Sequence, residues 1–347
     1  MTPIFLTAVF FCLFITIVYL LIQSAPPLPP NINATITHLQ NSPLIEMIPE
    51  TVKQTHNRAV KLNYEITESE SEQNETILLI NGHSQVLTDW PSYFYTPLVE
   101  AGFNIIRFDN RGVGQSDWMV NYDKKNPYSL EDMATDIIAI LDAERIPKAH
   151  IIGMSMGGMI GQRLAISHAE RVLSLTSIMS TGHFYDKALT NIPFDFYKKL
   201  VAVSIKYPLY SKKESTQLKL NLAIRQLQVG QGDYPLDHEL ILRRGLYELR
   251  QRDGYNLKVT DQHSLAIKVS GSRYQELGRI SVPTLVIHGT TDPLIKLEHA
   301  EKYAPMIPNA TTLFIEGMGH DLPPVFVPRM IAAIKKNIER TNRQLVI

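Results

Sequence analysis

Short strand-like runs and longer helix-like runs alternate along most of this chain, which predicts an α/β protein: a mostly parallel sheet with helices on both faces. Two observations carry that expectation. Val/Ile/Leu-rich stretches such as ETILLING and AHIIGMS recur between amphipathic stretches such as YSLEDMATDIIAILDAERI, and glycine closes many of the segments, as chain reversals require. The composition agrees, since 347 residues with 44% hydrophobic and 20% charged side chains are ordinary for a globular protein. Lys+Arg and Asp+Glu balance at 34 each, so no global field draws nucleic acid or an acidic partner. The single cysteine, Cys12, excludes an intramolecular disulfide and any cysteine-based metal site.

The N-terminal residues 1–25 read as a membrane anchor. From Ile4 to Ile22 the chain carries no charge, and as a helix rising about 1.5 Å per residue it covers roughly the 30 Å hydrocarbon core of a bilayer. A cleaved signal is the competing reading. Against it, the run exceeds the usual apolar length of about 7–15 residues, lacks a basic leader, and is followed by QSAPPLPP, a poor cleavage site. The body beyond is expected on the extracytoplasmic side. Secretion after cleavage and a cytoplasm-facing body are the alternatives, because the first basic residue, Lys53, is too distant to set orientation. Residues 26–58 read as a linker, stiff at PPLPP and irregular after it.

Beyond the linker, RAVKLNYEIT and ETILLING predict two strands, SYFYTPLVEAG a helix and FNIIRFD a further strand. In YSLEDMATDIIAILDAERI a capping box places Ser129 before the helix and Asp132 three residues on. AHIIGMS, MIGQRLAISHAE and RVLSLTSIMS continue the alternation as strand, helix and strand. From 182 to 277 no buried strand is legible, only helix-like runs such as FDFYKKLVAVSI, SKKESTQLKLNLAIRQLQ and HELILRRGLYELRQ. Alternation resumes with PTLVIHG, LEHAEKYAPMI, TTLFIEG and VPRMIAAIKKNIERT. The core is therefore expected at 59–181 and 278–347, with a helical cap at 182–277.

One short stretch carries the chemistry. In IIGMSMGGMIG a serine, Ser155, stands where a strand passes abruptly into a helix, with Gly153 and Gly157 two positions to either side. Such a turn strains the backbone and leaves no room for flanking side chains, so the glycines expose the hydroxyl. A hydroxyl needs a base, ordinarily an imidazole oriented by a carboxylate. Later strands supply both: Asp292 in TTDP after PTLVIHG, and His320 in MGHD after TTLFIEG. The other slot for an acid, after RVLSLTSIMS, holds STG and no carboxylate. For a developing oxyanion the backbone N–H groups of Met156 and His83 are the candidates, the latter in the Asn81-Gly82-His83-Ser84 loop.

Together ILLINGHS, FDNRGVGQSD, GMSMGGMIGQRLAI, VIHGTTDP and GMGHDLPP resemble the α/β-hydrolase superfamily, and GMSMGG with GMGHDLP looks most like its aclacinomycin-methylesterase-like esterase branch. The resemblance covers residues 60–345 and is weakest in the insertion. It implies an α/β-hydrolase fold of eight strands with a cap after the sixth, the nucleophile at Ser155, the acid at Asp292 and the base at His320. Asn81 departs from the histidine many relatives carry there. Fold and site then predict a serine hydrolase that cleaves a small apolar or aromatic ester, the apolar character suggested by Phe184, Tyr185, Phe194, Phe196 and Tyr197. Hydrolysis of a C–C bond or a peptide, or a ligand receptor without catalysis, are the alternatives. No cofactor or metal is expected: zinc and phosphate-loop spacings are missing.

Overall fold

Alternate residues of the central strands face opposite ways, and each set finds its own helices. The computed structural model describes residues 15–16, 18–47, 52–71, 75–190 and 192–344. In strand β3 (Thr76–Ile80), Leu78 and Ile80 join one buried cluster while Ile77 and Leu79 join a second on the other face. The first cluster takes in helices α3 (Leu130–Ala143) and α4 (Met156–Ser167). The second takes in α2 (Ser92–Glu100) and α10 (Val327–Gln344). This two-sided burial is why β3 and its neighbours read as continuous apolar runs.

The eight strands are β1 (Val52–Asn57), β2 (Val60–Thr67), β3, β4 (Asn104–Phe108), β5 (Ala149–Met154), β6 (Val172–Ile178), β7 (Thr284–Gly289) and β8 (Thr311–Ile315). Their order is β1-β2-β4-β3-β5-β6-β7-β8. Pairings of β2 with β1 and β4 are antiparallel, and every other pairing is parallel. The capping box at α3 forms as expected: Ser129 Oγ accepts from Asp132 N–H, and the Asp132 carboxylate accepts from Ser129 N–H. Between β6 and β7 the described residues form no strand. Helices α5 (Phe194–Lys206), α6 (Glu214–Gln228), α7 (His238–Gln251) and α8 (Val259–Ser270) make up the cap, and α9 (Leu297–Tyr303) joins β7 to β8.

Two expectations for residues 26–58 need correction. The stretch read as irregular contains helix α1 (Ile32–Asn41), which buries Ile32, Ile36 and Leu39 against Leu218 and Leu222 of α6 and Leu242 and Leu246 of α7. Thr and Asn are weak helix formers, so packing against the cap, more than propensity, holds it. The same stretch then enters the sheet as β1, a polar and largely exposed edge strand whose sequence VKQTHN shows no apolar alternation. The membrane-anchor reading falls mainly on residues 1–14 and 17, outside the described residues. Among the described residues no helix is long and apolar enough to cross a membrane.

Candidate functional site

Strand β5 runs straight into α4, and the joint is Ser155. Its φ of 54° and ψ of −120° fall in a strained region that costs on the order of 1–3 kcal/mol for a residue with a side chain. Neighbouring backbone fixes it there. Ser155 N–H donates to Ile178 O at 2.8 Å, and Ser180 Oγ donates to Ser155 O at 2.8 Å. A Cβ on Gly153 would lie 2.2 Å from Gly157 O, and one on Gly157 would lie 2.2 Å from Ile80 O. Strand and helix therefore close on the turn only with glycine at both positions. Gly82 of the β3 loop also approaches the turn, since a Cβ there would sit 3.2 Å from Ser155 Cβ.

The loops after β7 and β8 bring Asp292 and His320 together, with His320 Nδ1 2.7 Å from Asp292 Oδ2. The other carboxylate oxygen accepts from the N–H groups of Leu294 and Ile295, each at 2.8 Å. Burial alone pushes the Asp292 carboxyl up. His320, His288 and the Ile295 N–H outweigh it and hold the group below the usual carboxylate range. With Nδ1–H donated to the carboxylate, Nε2 of His320 is left as the acceptor a base requires. His288, buried behind the pair with Nε2 3.6 Å from Asp292 Oδ2, donates to Ile295 O at 2.7 Å. Burial keeps its pKa below the ordinary imidazole value. The hydrogen bonds stop at His320, which bonds Asp292 and not Ser155 Oγ; nucleophile-to-base contacts are often loose before substrate arrives.

Met156 opens α4 as its first residue, directly after Ser155, and is fully buried. In the β3 loop, Gln85 Oε1 accepts from Gly82 N–H at 2.8 Å. The His83 ring turns to the cap, with Nε2 3.1 Å from Thr260 O and 3.0 Å from Ser264 Oγ. Asn81 packs inward, its Nδ2 donating to Phe108 O at 3.2 Å. His263 of α8 completes this corner. It accepts at Nδ1 from Ser84 N–H at 3.0 Å and donates from Nε2 to Arg111 O at 2.9 Å. Burial drives its pKa down to about 3, so the neutral ring serves as a fixed latch. A lone histidine on a cap helix carries no sequence signal for that role.

A second latch ties the cap to the histidine loop. Gln228 O accepts from His320 N–H at 2.8 Å, and Gly232 N–H donates to Gly317 O at 2.8 Å. Tyr234 Oη accepts from the N–H groups of Gly230 (2.9 Å) and Gly319 (3.0 Å) and donates to Asp321 Oδ1 at 3.0 Å. Burial raises the Asp321 carboxyl to about 6, despite that hydrogen bond. Neither Tyr234 nor Asp321 stood out in the sequence, although Asp321 directly follows His320.

Two clefts open between cap and core. One, of about 690 Å³, is lined by His320, Met154, Met179, Arg225 and Leu240 among others. Its neighbour, of about 970 Å³, runs past His83, Gln85, Val86, Leu220, Ile224 and Arg225. The aromatic residues thought to shape a substrate pocket line neither cleft, and Phe194, at 83% exposed, faces outward. Among the described residues no group of three or more His, Cys, Asp or Glu side chains is placed to hold a metal ion.

A mostly parallel eight-stranded sheet, a helical cap after its sixth strand and a serine at the sharp turn between β5 and α4 define an α/β-hydrolase. The chain belongs to the alpha/beta hydrolase fold family, whose profile matches residues 75–325. It is similar to rhodomycin D methylesterase DauP of Streptomyces sp. (strain C5), at 31% identity over 74% of this chain and 89% of that protein. At 25% identity it matches the 2-hydroxy-6-oxononadienedioate/2-hydroxy-6-oxononatrienedioate hydrolase of Comamonas testosteroni, over 74% of this chain and 85% of the relative. The fold is shared with a membrane phospholipase A, at a TM-score of 0.61 and 20% identity, covering 97% of this chain and 99% of that one.

Proposed function

We propose that this hydrolase cleaves a carboxylic ester through an acyl-enzyme intermediate. Ser155 Oγ attacks the ester carbonyl as His320 Nε2 takes its proton, and the same proton passes to the departing alcohol. Water then attacks the acyl carbonyl with His320 again as base, freeing the acid and restoring the serine. Asp292 orients the imidazole and stabilises its cation. The N–H groups of Met156 and His83 receive the negative charge on the carbonyl oxygen, each contributing on the order of 3 kcal/mol to the transition state. The observation that carries this reading is the 2.7 Å bond between Asp292 and His320, formed at the same sheet edge at which β5 delivers Ser155.

The likeness to a methylesterase supports an ester substrate, and Met154, Met179, Val86, Leu220 and Ile224 along the clefts support an apolar one. The Comamonas relative favours a second reading, C–C bond cleavage by the same three residues. Uncharged Ile4–Ile22 supports a single-pass membrane anchor. A panel of p-nitrophenyl and methyl esters of graded acyl length, run beside a vinylogous diketone, tests the chemistry. Ester turnover that Ser155→Ala removes from a folded protein supports the proposal; turnover of the diketone alone favours the second reading, and full retention by Ser155→Ala ends both.

A further inference from the structure

Helix α5 is apolar on two faces, and only one of them is covered. Phe196, Leu200, Ala202 and Val203 pack inward with Leu220, Ala223 and Leu227 of α6 and with Leu21, Ala25 and Leu28 of the N-terminal segment. On the outward face Phe194, Tyr197, Val201 and Ile205 follow one another at helical spacing, all exposed. The stripe continues beyond the helix in Tyr210, which is 85% exposed. A cap helix facing only water would be polar on that side, and a contiguous apolar surface of this kind marks an interaction site.

The charges say what kind. Between residues 192 and 213 stand five lysines, Lys198, Lys199, Lys206, Lys212 and Lys213, against one carboxylate, Asp195. Asp195 is already paired with Lys199 at 2.7 Å. Apolar and aromatic residues on one face with lysines around them are the pattern of a helix lying in the headgroup layer of a bilayer. A second copy of the same face would set like charges against each other. The uncharged run from Ile4 to Ile22 also ends in the cluster that holds the inner face of α5, because Leu21 and Ala25 pack there. The run thus meets the cap at the covered face of the same helix that carries the outward stripe.

We infer that the outer face of α5, continued through Tyr210, docks the cap onto the surface of a bilayer containing anionic lipid, Phe194, Tyr197, Val201 and Tyr210 entering the headgroup layer and the lysines facing lipid phosphates. This contact is separate from any membrane span at the N-terminus and independent of the chemistry at Ser155. The test uses the full chain with Cys12→Ser and Val201→Cys carrying an environment-sensitive fluorophore, mixed with vesicles of phosphatidylcholine and phosphatidylglycerol. A reference reporter sits at Glu170→Cys on the core. Expected are a blue shift at 201 and quenching by nitroxide-labelled lipid, none at 170, and loss of both signals with Phe194→Ser, Tyr197→Ser and Tyr210→Ser combined. Protein that sediments with the vesicles while the 201 reporter stays water-like would overturn the docking face and leave an N-terminal anchor standing. Failure to sediment overturns both. A blue shift that grows with protein concentration in the absence of vesicles means self-association and overturns it too.

Discussion

Ser155 occupies a strained backbone geometry that the surrounding glycines permit and the bonds to Ile178 and Ser180 enforce. Its strain is therefore supported by packing that leaves no slack. Gly157→Ala is expected to lose several kcal/mol of stability, because the added methyl meets Ile80 O well inside contact distance and that carbonyl belongs to a central strand. Denaturant unfolding checks it, and a stable variant would mean that the turn is looser than described. Asp292→Asn should keep the fold and lower kcat about 10⁴-fold, since the amide disturbs the orientation of His320 while its volume is unchanged; steady-state kinetics read this out. At this scale the sequence was most informative. Ser155, Asp292 and His320 each follow a strand end, and strand ends are legible. His263, Tyr234 and Asp321 were not, because what they do depends on which distant backbone groups they meet.

Among the elements, the segment from Gln228 to Tyr234 is the part of the cap that touches the candidate site most closely. Tyr234 alone engages two backbone N–H groups and a half-buried carboxylate. Tyr234→Phe leaves all three without that partner, at about 1–3 kcal/mol each before water or rearrangement compensates. The expected result is a lower Tm together with a fall in kcat larger than any change in KM, as the loop carrying His320 loosens. A variant with reduced Tm but unchanged kcat would limit the latch to stability. Most elements of the core were readable from apolar period and glycine stops, including the capping box at Ser129. Helix α1 and strand β1 were not. INATITHLQN has poor helix formers and finds its buried face only against the cap, and VKQTHN lies at the polar edge of the sheet, where alternation is not demanded.

Across the whole molecule, cap and core share buried charges. Arg252, directly after α7, reaches Asp109, directly after β4, and also pairs with Glu248, which accepts from Thr88 Oγ1 at 2.6 Å. Two carboxylates thus compete for one guanidinium out of water. Burial first, with Asp109 adding to it, raises the Glu248 carboxyl from 4.5 to about 7 in the folded protein. Over that interval the folded state holds a proton the unfolded chain has released. The stability contributed by protonated Glu248 is complete below the unfolded pKa and is lost as pH rises through about 7. Glu248→Gln removes this dependence, so wild type should lose about 1–3 kcal/mol relative to the variant between about pH 5 and about pH 8. Denaturant melts at the two pH values test it, and a gap that does not vary with pH contradicts the charge competition. None of this network was visible in FDNRGVGQSD.

The joint action of Ser155, His320 and Asp292 is tested most directly by fluorophosphonate labelling followed by peptide mapping. The account predicts a single adduct on the peptide containing Ser155, formed at a rate that falls by orders of magnitude in His320→Ala and Asp292→Asn. An adduct on another residue, or one whose rate is indifferent to loss of His320, would contradict it.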